Sequence, residues 1–79
     1  MDKNELIKEI NTTLMEEFEI SEEKLVSEAK LFDDLGLDSL DAVDMLVHLE
    51  DRMGVKLDVE KMQGVRTLGD IHSLLEGLV

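Results

Sequence analysis

Chemistry in this sequence gathers around one serine. Ser39 stands within Asp33-Asp34-Leu35-Gly36-Leu37-Asp38-Ser39-Leu40-Asp41, a stretch rich in carboxylates and without a cation. Gly36 suits a turn and Asp38 suits a helix N-cap. Asp41, three residues on, completes a capping box with Asp in place of the usual Glu. With Asp38 as the cap, Ser39 becomes an exposed residue at the helix start, beside N–H groups that can receive a phosphate oxygen. A lone serine there is ordinarily a neutral early-helix residue. As an acceptor it would give a phosphodiester the support of the helix dipole, partly opposed by the neighbouring aspartates.

Other chemistries fit less well. A serine nucleophile needs a base, and the only histidines are His48 and His72. On a helix running from Ser39, His48 falls about half a turn around and more than two turns along, beyond hydrogen-bond reach. His72 reads as an ordinary surface residue of the last helix. No G-x-S-x-G elbow is present, so no catalytic residue is assigned and the chain is not expected to be an enzyme. A calcium loop fails as well. Begun at Asp33 it puts Leu35 and Leu37 at ligand positions; begun at Asp34 it puts Ser39 at the required glycine and Met45 at the closing glutamate. No metal site is expected.

The elements that position Ser39 follow from apolar spacing. Leu6, Ile7, Ile10, Leu14, Met15 and Phe18 recur at three- and four-residue intervals, which predicts a first helix from Asn4 to about Phe18. Asn4 is a candidate cap, with Asp2 competing. Residues 19–37 hold no period. Ser21 to Lys24 can form one turn, and the irregular Leu25, Val26, Ala29, Leu31, Phe32 and Leu35 suggest a long loop packed across the helices. The second helix runs from Asp38 or Ser39 to Met53 and ends at Gly54, with Arg52 in its last turn. Val55 to Asp58 connect it to a possible single turn at Val59 to Met62. The last helix starts at Thr67, spaced to Asp70 as a capping pair, and carries Leu68, Ile71, Leu74, Leu75 and Leu78 on one face. The fold class is all-α: a three-to-four-helix bundle with a long loop between the first and second helices, and one domain over residues 1–79.

The second helix carries more apolar surface than one core needs. At about 100° per residue, Ala42, Met45, Leu46, Leu49 and Met53 form one stripe to one side of Ser39. Leu40, Val43 and Val47 form another on the opposite side, edged by Asp44 and Asp51. Either a small bundle buries both stripes, or the second is a docking surface rimmed by carboxylates. Charge favours docking. Between Leu31 and Asp51 stand seven acids and no Lys or Arg, within a chain of 79 residues and formal charge -12.

That charge excludes nucleic acid and anionic membrane surfaces as partners and points to proteins with basic patches. No apolar run reaches membrane-spanning length and the first residues lack signal-peptide character, so a cytoplasmic location is expected. The chain has no cysteine and only two aromatic residues, Phe18 and Phe32. Its stability must therefore come from a small aliphatic core.

Leu35-Gly36-Leu37-Asp38-Ser39-Leu40-Asp41 resembles the phosphopantetheine attachment motif of acyl carrier proteins, whose core is Asp-Ser-Leu. The resemblance extends over nearly the whole chain, through Val43-Asp44-x-x-x-x-Leu49-Glu50 to Thr67-Leu68-Gly69-Asp70-Ile71. It implies that a phosphopantetheinyl transferase moves 4′-phosphopantetheine from coenzyme A to Ser39, flanked by Asp38 and Leu40, with Mg²⁺ polarising the pyrophosphate. Acyl groups would then be carried as thioesters, chiefly for fatty-acid biosynthesis, between synthases and transferases with basic docking patches. It further implies that Asp38, Leu40, Asp41, Val43, Asp44 and Val47, edged by Asp51, face those partners. Acyl chains would be sheltered among Leu46, Leu49, Ile71 and Leu75, in a monomer. Two alternatives stand beside this: a specialised carrier for another acyl, polyketide or aminoacyl pathway, and an acidic helical interaction module without a prosthetic group.

Overall fold

The computed structural model describes residues 2–57 and 59–78; Asp58, at the end of the expected connection, lies outside them. The described residues form three α-helices and two single 3-10 turns: α1 Lys3–Phe18, a turn at Glu22–Lys24, α2 Ser39–Met53, a turn at Val59–Met62, and α3 Leu68–Glu76. Among the described residues there is no strand, and the architecture is the expected all-α bundle.

Helix α1 packs against both α2 and α3. Its cap is Asp2, whose carboxylate accepts the Glu5 N–H at 3.0 Å, so Asn4 is helical rather than the cap. The apolar spacing puts Leu6, Ile10 and Leu14 in the core, and Thr13 joins them by donating its hydroxyl to the Glu9 carbonyl at 2.8 Å. The helix stops at Glu19, in the left-handed region at φ 55°, and Ile20 turns back into the core.

α1 ends on Glu16 and Glu17 with no basic residue in its last turn. Acids there oppose the helix macrodipole. The compensation comes from α2, where Arg52 reaches Glu16 at 2.9 Å and Glu9 at 3.6 Å, and His48 lies 3.6 Å from Glu17. The Arg52 that suits the end of its own helix thus also clamps a neighbouring one.

The segment between α1 and α2 is a strap rather than a free loop. Leu25, Ala29, Leu31, Leu35 and Leu37 are buried, whereas Val26 and Phe32 are about half exposed. The expectation that these two also pack inward is corrected. An aperiodic segment has no face rule to distinguish its inner from its outer residues. Backbone hydrogen bonds tie the strap to the start of α3: Leu31 N–H to the Arg66 carbonyl, Leu68 N–H to Ala29 and Gly69 N–H to Ser27, each at 2.9 Å. Lys30 and Thr67 form an isolated antiparallel bridge within this seam. Gly69 allows the approach, because a Cβ there would lie 3.0 Å from the Ser27 carbonyl oxygen.

Candidate functional site

The strap delivers the chain to Ser39 in a fixed direction. Asp34 and Leu35 both donate to the Lys30 carbonyl, and Leu37 donates to that of Leu31. The Asp34 carboxylate accepts the Lys30 N–H at 2.8 Å. Gly36, at φ 70°, makes the turn between the buried Leu35 and Leu37, a conformation that glycine adopts without steric cost. Two buried leucines therefore anchor the loop, and the residues after them emerge into solvent.

Asp38 caps α2 in extended backbone geometry. Its Oδ1 accepts the Asp41 N–H at 2.9 Å, and Asp41 Oδ2 accepts the Asp38 N–H at 3.2 Å. The capping box is the one expected, with Asp at both positions. Both carboxylates are thus committed to backbone donors. Ser39 is exposed at the first helical position, and its hydroxyl enters no hydrogen bond among the described residues. Nor does any described bond use the N–H of Ser39 or Leu40, which leaves two helix-end donors beside an unengaged hydroxyl.

The two stripes of α2 separate as docking requires. Met45, Leu46 and Leu49 are buried, with Ala42 and Met53 half-buried beside them. Leu40 is 79% exposed, Val47 55% and Val43 42%. Only the first stripe is consumed by the core. Asp44 and Asp51 stand exposed at the rim of the second. The four residues of the expected acyl shelter, Leu46, Leu49, Ile71 and Leu75, are all within the closed core. A surface hollow of about 480 Å³ is lined instead by Lys30, Phe32, Asp33, Gly64, Val65, Arg66 and Thr67, and none of those four reaches it.

The histidines occupy places their helical positions did not disclose. His72, expected at the surface, is 8% exposed, and its Nε2 has no hydrogen-bond partner among the described residues. Burial lowers its pKa, and nearby Lys3 lowers it further. Lys3 and Ile7 of α1 and Ser27 of the strap, all remote in sequence, line the same hollow as His72. His48 sits on the flank of α2 facing α1, with Asp44 Oδ2 at 3.7 Å and the Phe18 ring edge-on at 6.2 Å. At the start of α3, backbone N–H groups of Arg66 and Thr67 donate to Asp70 and hold its carboxyl below the usual range.

A family model for the phosphopantetheine attachment site matches residues 8–75. The acyl carrier protein of Thermotoga maritima is 38% identical over 74 residues, covering 94% of this chain and 91% of the relative. That of Saccharopolyspora erythraea is 37% identical over the full chain and 83% of its own length. Acyl carrier protein 2 of Ralstonia nicotianae is 34% identical over the full chain and 98% of its own. The chain belongs to the acyl carrier protein family. It is a carrier rather than an enzyme, and its prosthetic group is phosphopantetheine.

The residues present fit such a group. An anionic phosphodiester needs an accessible hydroxyl and nearby donors, and the α2 N-terminus offers both without disturbing the Asp38–Asp41 box. Among the described residues no three His, Asp or Glu side chains are grouped to hold a metal ion.

Proposed function

We propose that Ser39 Oγ is the attachment point for 4′-phosphopantetheine and that this carrier presents acyl intermediates as thioesters for fatty-acid biosynthesis. The observation that carries this reading is the unengaged, exposed Ser39 hydroxyl at the start of a helix whose adjoining stripe is also exposed. The arm, once bound, supplies the terminal thiol that a chain without cysteine lacks.

The protein's own residues would do the rest. Within a phosphopantetheinyl transferase, Ser39 Oγ would attack the pantetheine-side phosphorus of coenzyme A and give its proton to a base of that enzyme. The pyrophosphate linkage would break and the adenosine bisphosphate half leave. Asp38 holds the Asp41 N–H and so fixes the first turn. The N–H groups of Ser39 and Leu40 face the resulting negative charge, and the engagement of the Asp38 and Asp41 carboxylates with backbone donors reduces their repulsion of it.

Docking would use Leu40, Val43 and Val47 as the apolar centre, with Asp38, Asp41, Asp44 and Asp51 as the acidic rim. Synthases and transferases with basic patches are the complementary partners. The acyl chain would be sheltered among Leu46, Leu49, Ile71 and Leu75, which requires this closed core to part. We read residues 1–79 as one carrier unit acting as a monomer in the cytoplasm.

Incubation with coenzyme A and a broadly active phosphopantetheinyl transferase tests the proposal. One phosphopantetheine mass should be added to the wild-type chain and none to Ser39→Ala. An unmodified wild-type chain would overturn it. The cargo found on natively isolated protein then separates fatty-acid synthesis from a specialised acyl, polyketide or aminoacyl pathway.

A further inference from the structure

The strap and the turn before α3 enclose the surface hollow of about 480 Å³, within the roughly 300–1,000 Å³ usual for small-molecule sites. Its apolar lining is Phe32, half exposed on the strap, and the half-buried Val65 of the turn. Lys30, Asp33 and Arg66 supply its charge, and neither cation is held in an ion pair among the described residues. Gly64, at φ 86°, adds a wall without a side chain, where a Cβ would meet no atom within 4 Å. Main-chain contacts fix the walls: Leu31 N–H donates to the Arg66 carbonyl at 2.9 Å, and Lys30 is bridged to Thr67. A site so braced loses little freedom on taking up a ligand.

The same bonds lead back to Ser39. Leu37 N–H donates to the Leu31 carbonyl at 3.0 Å, so the segment entering α2 is hydrogen-bonded to the strap, and the strap to the turn before α3. Two such main-chain spacings amount to about 10 Å. The arm proposed for Ser39 is joined through successive amides and extends like about four residues of chain, roughly 13 Å. It can span that gap, and tethering lets weak contacts count by raising its effective concentration. The closed core is a poorer place for it. Leu46, Leu49, Ile71 and Leu75 are at most 3% exposed and offer side chains with no partner for an amide, whose burial without a hydrogen bond is costly.

We propose that this hollow is the resting site of the unloaded phosphopantetheine arm. Phe32 and Val65 cover its dimethyl-bearing part, Lys30 and Arg66 donate to its amide carbonyls, and Asp33 accepts from its N–H or hydroxyl groups. No bond is made or broken beyond attachment. An arm held there stays out of the core and leaves Leu40, Val43 and Val47, none of which lines the hollow, free to meet a partner. The inference rests on Ser39 being the attachment point.

The test compares amide NMR spectra of the full chain before and after loading from coenzyme A by a phosphopantetheinyl transferase, with the added mass verified. Signals of Lys30, Phe32, Gly64, Val65 and Arg66 should shift together with those beside Ser39. The arm's methyl groups should show nuclear Overhauser contacts to the Phe32 ring. Phe32→Ala, at a half-exposed position, should load and fold as the wild type does, by mass and circular dichroism, yet lose the shifts at Gly64 and Val65. Lys30→Gln should reduce them. Shifts confined to residues adjoining Ser39, or methyl contacts to Leu46 or Ile71 instead, overturn the proposal while leaving attachment at Ser39 intact. Absence of any mass gain would overturn the carrier reading itself, and this site with it.

Discussion

Two helices of this carrier begin with the same device and put it to opposite uses. Asp38 with Asp41, and Thr67 with Asp70, each form a reciprocal capping box. At α3 the box is overlaid by tertiary bonds: Asp70 also takes the Arg66 N–H, Leu68 and Gly69 donate to the strap, and Leu68 is completely buried. At α2 the box stands alone, with Ser39 in solvent and Leu40 79% exposed. A capped start can therefore serve as a joint or as a site. What decides is whether the neighbouring backbone has other partners. Local capping keeps the α2 end ordered without covering it, which suits the modification proposed for Ser39.

The contrast can be broken most severely at the two leucines. Leu68→Ala, at a fully buried site, should cost about 2–5 kcal/mol, against a net stability of roughly 3–5 kcal/mol for a core this small. Chemical denaturation should find it largely unfolded. Leu40→Ala should stay within about 0.5 kcal/mol of the wild type in the same experiment and lose partner affinity instead. Gly69→Ala comes next. The new Cβ meets the Ser27 carbonyl oxygen at 3.0 Å, and about 1–3 kcal/mol of overpacking should outweigh the gain in helix propensity. The caps themselves follow: Thr67→Ala and Asp38→Ala should each cost about 1 kcal/mol. Hydrogen exchange should show the first loosening the strap as well as α3, and the second loosening only the first turn of α2.

Acid should act first on the α3 side. The folded His72 holds its proton less readily than the unfolded one, whose ordinary value is 6.5. The unfolded state therefore binds more protons as the pH falls below about 6.5, and stability declines through that window down to the folded value. His72→Leu should flatten the melting temperature across it. Asp70 acts in the same sense but lower on the scale. Its contribution, present above the ordinary 3.8, should be lost only as the pH drops through its lowered folded value.

How much of this was legible in the sequence follows from the range of each signal. Asp38, Asp41, Thr67 and Asp70 declare themselves within four residues, because capping is local chemistry. The two stripes of α2 could be drawn from helical geometry alone, although periodicity did not tell core from surface until the exposures of Leu40 and Leu46 were compared. That the segment between α1 and α2 packs across the helices was legible from its apolar residues, but the seam that ties it to α3 was not. Its bonds join the main chain at Ser27, Ala29 and Leu31 to that at Arg66, Leu68 and Gly69, and backbone bonds leave no side-chain signature. The partners of Arg52 and His48 were hidden for a related reason: Glu9, Glu16 and Glu17 look like ordinary solvated acids until α2 crosses them. At the start of α1, two acceptable caps lay two residues apart, and propensity alone did not choose Asp2 over Asn4.

The strap also gives the molecule an order of events. The loop that leads to Ser39 hangs from Leu31, whose N–H is held by Arg66, a residue synthesised long after the serine. Such a contact cannot form until the later segment exists, and its loop-closure entropy must be met before the contact contributes. A nascent chain that has exposed Ser39 but not yet the 66–69 segment lacks the brace for its own attachment loop. The brace of that loop is thus completed only by a segment 35 residues beyond Leu31 in the chain.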